Sequence, residues 1–182
     1  AAGGSVRGIN VPGGAKMSRK EIDSLVEFVK TYGAKGLAWY KNAPEGASSS
    51  FAKFLTEDET AAVLKKLGCG AGDLALIVAD KNKVVFDSLG ALRCEVAKRL
   101  GMIDRSKFNF LWITEFPLFE YDEEEGRYYA MHHPFTMPME EDMDKIDTDP
   151  GAVRARAYDI VLNGTEIGGG SIRIHTTERQ KQ

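Results

Sequence analysis

The sequence predicts an α+β protein in two parts, and three observations carry that prediction. Strand-like and helix-like periodicities alternate as far as Asp80. Beyond it the chain turns aromatic and strand-rich. Near its end, Asn163-Gly164 stands between two apolar runs, the strongest short-range signal for a β-hairpin. A boundary is therefore placed near Lys81, with residues 1–80 forming one unit and residues 81–182 another.

Ser5 to Val11 alternates as a half-buried strand and stops at the Pro12-Gly13-Gly14 turn signal. Ser18 and Glu21 then form a capping box, which predicts a helix to about Tyr32 with Ile22, Leu25, Val26 and Val29 as its apolar stripe. Gly33 is placed to end it. Gly36 to Lys41 reads as a second strand, and Glu45 to Ser50 as a mobile loop. Thr56 and Glu59 repeat the capping box for a helix that runs to Leu67 and stops at Gly68. Leu74 to Ala79 is a continuous apolar run, the pattern of a buried strand. Together these elements predict one sheet with its helices on one face.

A longer amphipathic helix follows from Val84 to Leu100, with Leu89, Leu92, Val96 and Leu100 on one side. Phe108 to Phe119 is aromatic and strand-like, interrupted by Pro117. Asp122 to Gly126 is an acidic turn, read as a solvated hairpin tip, and Arg127 to Met131 returns as a strand. Met139 to Val153 reads as short helical turns. Ala157 to Leu162 and Thr165 to His175 are the arms of the last hairpin.

Of the 182 residues 43% are hydrophobic and 28% charged, the composition of a globular protein, with a net charge of −3. That balance argues against a protein whose main task is gripping a phosphate backbone, since such binding is driven by basic residues. The two cysteines, Cys69 and Cys94, have no histidine near them and read as buried free thiols, which fits a reducing cytoplasm. No apolar stretch approaches the roughly 20 residues of a membrane span, and no leader pattern is present. The chain opens at Ala1-Ala2-Gly3-Gly4 without Met, so it is expected to be a piece of a longer protein.

The last hairpin carries the most chemistry. A two-residue Asn-Gly loop pairs Val161 with Glu166 and Asp159 with Gly168. Asp159 and Glu166 then share a face as diagonal neighbours, roughly 7 Å apart at the backbone. Two carboxylates there can share a cation such as magnesium with a nucleotide's phosphates. The plainer reading leaves one exposed and the other paired with an arginine. Arg173 lies an odd number of residues beyond Glu166, so a regular strand points it away. A bulge at Gly168-Gly169-Gly170 would bring it to the carboxylate side, where a guanidinium could grip a ligand's carboxylate. His132 and His133, adjacent and so facing opposite ways on a strand, are poor partners for one metal. They are either ordinary surface residues or a substrate-facing imidazole on a loop.

Two blocks, MHHPFT at Met131 to Thr136 and AYDIVLNGTEIGGGSIRIH at Ala157 to His175, resemble the catalytic domain of class II aspartyl-tRNA synthetases. VRGINVPGGAKMSRKEID, FVKTYGAKGLAWYK, AKFL and DSLGALRCEVAKRLG resemble the inserted GAD domain of the bacterial enzymes and its exit helix. The resemblance implies a DCoH-like α/β two-layer GAD domain over residues 1–80, lacking its start, and part of a class II antiparallel catalytic sheet over residues 81–182. It implies that His132, His133 and Arg173 bind aspartate, and that Asp159 and Glu166 hold Mg2+ and ATP. Gly168, Gly169, Gly170 and Ser171 would line the pocket.

The parent's substrates would be L-aspartate, ATP and tRNA-Asp, with tRNA-Asn left open, in a cytoplasmic homodimer. The family's motifs 1, 2 and 3 have no counterpart here, so the chain alone is expected to be inactive. The contrasting expectation is a non-catalytic GAD-type module that binds tRNA or protein.

Overall fold

The computed structural model describes residues 3–181, the side chain at 179 excepted. They divide into two compact units meeting between Asp104 and Arg105.

The first unit is a four-stranded antiparallel sheet in the order β1-β4-β2-β3. Its strands are β1 (Gly4–Val11), β2 (Ala38–Ala43), β3 (Gly46–Ser49) and β4 (Leu74–Lys81). Helices α1 (Arg19–Lys30) and α2 (Glu57–Leu67) both start at complete capping boxes, Ser18 with Glu21 and Thr56 with Glu59. In each, the hydroxyl and the carboxylate satisfy backbone N–H groups that would otherwise lack partners. Gly68 closes α2 in the left-handed conformation, φ 67°.

One face of the sheet holds the core. Leu74, Leu76 and Val78 of β4 alternate onto Ile22, Leu25 and Val29 of α1 and onto Val85, Leu89, Leu92 and Val96 of α3 (Asn82–Arg99). Three departures from expectation follow. Helix α3 belongs with the first unit, because its apolar stripe completes this core, so the compact unit reaches Asp104 and does not stop near residue 80. Helix α2 lies on the other face: a side chain at Gly8 would meet Leu67 and Ile77, and no residue of α2 is buried. The segment read as a mobile loop is β3, paired with β2 across a turn at Pro44-Glu45. The Ser50 hydroxyl accepts from the Trp39 amide at 2.9 Å, and the Ser50 amide donates to the Trp39 carbonyl at 3.0 Å.

Both cysteines are free, as expected, but neither is fully buried: Cys69 is half-buried and Cys94 exposed. Burial pushes the Cys69 thiol above its ordinary value. No helix among the described residues is long and apolar enough to cross a membrane.

The second unit is built from two antiparallel sheets. One has the order β5-β8-β9, from β5 (Phe110–Thr114), β8 (Ala157–Leu162) and β9 (Thr165–Ser171). The other pairs β6 (Phe119–Asp122) with β7 (Arg127–Ala130) around the acidic tip. As read, the tip is solvated: the Asp122 carboxylate accepts from the Glu124 and Glu125 amides. The expected helical turns are 3-10 turns at Glu140–Lys145 and Pro150–Ala152. A small core of Leu118, Val153, Ala155 and Ala157 is backed by Phe116, Phe119 and Ile146.

Residues 153–156 tie this unit together by bonding on both sides. Toward one side, Leu118 donates to Val153 and Ala155 to Phe116. Toward the other, Met139 donates to Arg154 and Arg156 to Met137. A short helix, α4 (Thr177–Gln180), ends the described chain.

Candidate functional site

The hairpin of β8 and β9 turns at Asn163 and Gly164, with φ of 49° and 83°. Two successive positive φ values make the tight turn whose twist matches the strands it joins. Val161 pairs with Glu166 as expected, but Ile160 then pairs with Gly168, and Asp159 with Gly169 instead of Gly168. The extra residue is Ile167, so the bulge falls just before the glycines and not among them.

The bulge changes which residues share a face. Asp159 lies on the side of Val161 and Glu166, and through its partner Gly169 on the side of Ser171. The same alternation carried beyond Ser171 brings Arg173 to that side. The carboxylate of Asp159 lies across the backbone of Gly169 so closely that a β-carbon there would overlap its Oδ1. Gly168 and Gly170 face the other way, toward Ile160 and the Tyr158 ring, so only their backbone could line the Asp159 side. The side chains of Asp159, Glu166 and Arg173 have no hydrogen-bond or ion-pair partner among the described residues. An unpaired cation and two carboxylates on one sheet face form a charged surface ready for a ligand bearing both signs.

The histidine segment is joined to this strand. The Ile174 amide donates to Phe135 and the Met137 amide to Ile172, which sets Thr136 opposite Arg173. At its other end Met131 donates to Leu118. The two histidines do different things. His133 accepts from the Phe135 amide through Nδ1 at 3.1 Å and helps line an apolar cavity of about 280 Å³ with Leu118, Phe119, Thr136 and Ile174. His132 is exposed, with its ring edge-on to Phe116 at 4.9 Å between centroids. His133 is exposed as well, and with its Nδ1 engaged by Phe135 its Nε2 remains open, as do the nitrogens of His132.

One cluster has no counterpart in the sequence reading. Asp142 is fully buried and accepts from Arg154 Nε at 2.7 Å, Lys145 Nζ at 2.6 Å and the Arg154 amide at 3.0 Å. The Arg154 hydrogen bond, then that of Lys145, holds the Asp142 carboxyl far below the usual carboxylate range. Arg154 Nη1 also reaches Glu115 at 2.9 Å. No motif links these three positions, and Asp142 sits in a stretch that reads as polar surface.

For magnesium, two hard carboxylates on one face are a fitting but partial donor set. Among the described residues there is no group of three or more His, Cys, Asp or Glu that could hold a metal by itself. A cation here would have to draw its remaining ligands from a phosphate and water.

The two units define a class: an α/β unit and an antiparallel β unit, the second with two carboxylates and a guanidinium on one sheet face. Residues 1–89 match the GAD domain family. Over its whole length the chain is homologous to a segment of the bacterial aspartate–tRNA ligases. It is 62% identical over 181 residues to the aspartate–tRNA ligase of Ruminiclostridium cellulolyticum, covering 99% of this chain and 30% of that protein. It is 60% identical over 183 residues to that of Clostridium perfringens, covering all of this chain and 31% of that protein. It is 61% identical over 180 residues to the aspartate–tRNA(Asp/Asn) ligase of Caldanaerobacter subterraneus subsp. tengcongensis, covering 99% and 30%. The chain thus spans about 30% of the length of these relatives.

Proposed function

We propose that this chain carries the GAD domain and the amino-acid-reading part of a class II aspartate–tRNA ligase, whose whole form joins L-aspartate to tRNA at the expense of ATP. The observation that carries the reading is the shared face of Asp159, Glu166 and Arg173, each with its side chain unpaired among the described residues, beside the segment bearing His132. In this reading Arg173 takes the aspartate side-chain carboxylate in a bidentate grip, and His132 meets the same substrate from its loop. Asp159 and Glu166 hold Mg2+ against the ATP phosphates. The ion, when bound, would supply charge neutralisation at those phosphates. Ser171 and the peptide of Gly169 would line the floor between them. The chemistry demands positioning and electrostatics more than covalent catalysis, which suits a site of fixed charges on a rigid hairpin.

Motifs 1, 2 and 3 of the class II family have no counterpart in this sequence, so alone the chain should not activate aspartate. Pyrophosphate exchange tests both halves of the proposal. The isolated chain should stay at background, and aspartate-dependent exchange by it would overturn its inactivity. In the full-length ligase, Arg173→Ala should raise KM for aspartate by at least about a hundredfold, the scale of a lost bidentate charge pair. An unchanged KM would overturn the assignment.

A further inference from the structure

Arg154 bridges two carboxylates, and the bridge ends next to the ring on which His132 rests. Its Nε holds the buried Asp142, which Lys145 also grips, so the guanidinium is anchored on that side. Its Nη1 reaches out to Glu115. Glu115 is one of two non-glycine residues among those described with positive φ, at 59°. A side chain in the left-handed region persists only where its surroundings hold it there.

The backbone turns at that residue. β5 ends at Thr114, and the chain continues through Phe116, whose carbonyl accepts from Ala155, with Pro117 bridged to Arg154 itself. The left-handed turn sets the direction in which the Phe116 side chain leaves the backbone, toward the His132 ring. The backbone on either side of His132 is held, Met131 donating to Leu118 and the His133 carbonyl accepting from Thr136, while among the described residues the contact to the imidazole itself is the Phe116 ring.

We infer that Arg154, by tying Glu115 to the buried Asp142, is a positioning residue for His132: it fixes the left-handed turn that presents Phe116 to the imidazole. This inference rests on the reading of His132 as an aspartate-binding residue.

Kinetics of the full-length ligase test it. Arg154→Ala would leave Asp142 buried without its main partner and could fail to fold, so the informative change is Glu115→Ala. That variant removes the tie while leaving the Arg154–Asp142 pair in place. Glu115→Ala should raise KM for aspartate roughly threefold to tenfold, the range an aromatic edge contact is worth, with KM for ATP unchanged. Combined with His132→Gln, it should add nothing further to the aspartate KM. Glu115→Gln, which can still accept from Arg154, should restore most of the loss.

If His132→Gln leaves the aspartate KM unchanged, the reading of His132 fails and the positioning role falls with it. If His132→Gln raises that KM and Glu115→Ala does not, the positioning role alone is overturned. A Glu115→Ala effect that lowers kcat and weakens aspartate and ATP alike, or that adds fully to His132→Gln, also overturns it, since a general loss of structure would do the same.

Discussion

The carboxylate of Asp159 occupies the space in which a side chain at Gly169 would begin. The two residues are paired across β8 and β9, and the pairing exists because Ile167 is bulged out of the ladder. A glycine at position 169 is thus a steric condition for where Asp159 points, and its φ is not in the left-handed region.

Gly169→Ala should therefore separate folding from function. The overlapping carboxylate can swing aside, but the Tyr158 carbonyl oxygen, 3.1 Å from the same point, is backbone and must give slightly, so the cost to stability should be about 1–3 kcal/mol. The displaced Asp159 should no longer share a cation with Glu166. In the full-length ligase the expected result is a raised KM for magnesium-ATP with aspartate binding largely kept. An unchanged KM for magnesium-ATP would mean that Asp159 needs no such orientation.

Asp142 makes the second unit sensitive to acid. Its folded carboxyl titrates well below the ordinary value of 3.8, so the native state favours the charged form. The stabilisation is fully present above that ordinary value and is lost as the pH falls from there toward the folded value. Chemical denaturation followed from neutral pH down to about pH 3 should show the wild type losing stability at the acid end. Asp142→Asn should be less stable at neutral pH and flatter with pH, the two curves converging in acid. Parallel curves would show that another carboxylate carries the acid sensitivity.

The reach of the first unit is testable by truncation. Leu92 and Val85 of α3 are fully buried against α1 and the sheet. Leu92→Ala should destabilise the unit by about 2–5 kcal/mol, the range for a large-to-small change in a packed core. A chain ending at Asp104 should keep the cooperative unfolding of this unit, and one ending at Asp80 should lose it. Cooperative melting of the shorter chain would place α3 outside the core.

Much of this was legible beforehand. Both capping boxes, the apolar stripes of α1 and α3, the Pro117 interruption and the Asn163-Gly164 turn are local patterns, and each appears where the residues place it. The shared face of Asp159 and Glu166 was legible because strand alternation is arithmetic once the turn is known. The misses share another character. Gly46-Ala47-Ser48-Ser49 has little intrinsic preference for a strand and becomes one through its pairing with β2. α3 was assigned to the wrong unit because a stripe of leucines declares that a face is buried and not what buries it.

The sequence by itself determined the kind of protein this is, through long motifs that match aspartate–tRNA ligases, and the charged residues that share one face of the last hairpin. Tertiary structure alone decided the bulge at Ile167, the different contacts of His132 and His133, and the Asp142–Arg154–Glu115 bridge. The physical reason is range. Capping, turn chemistry and periodicity act within a few residues and are written locally. A bulge, a ring contact or a buried ion pair depends on which distant segments arrive side by side, and Arg154 meets Glu115 only because residues 153–156 are laid against Phe116 and Leu118.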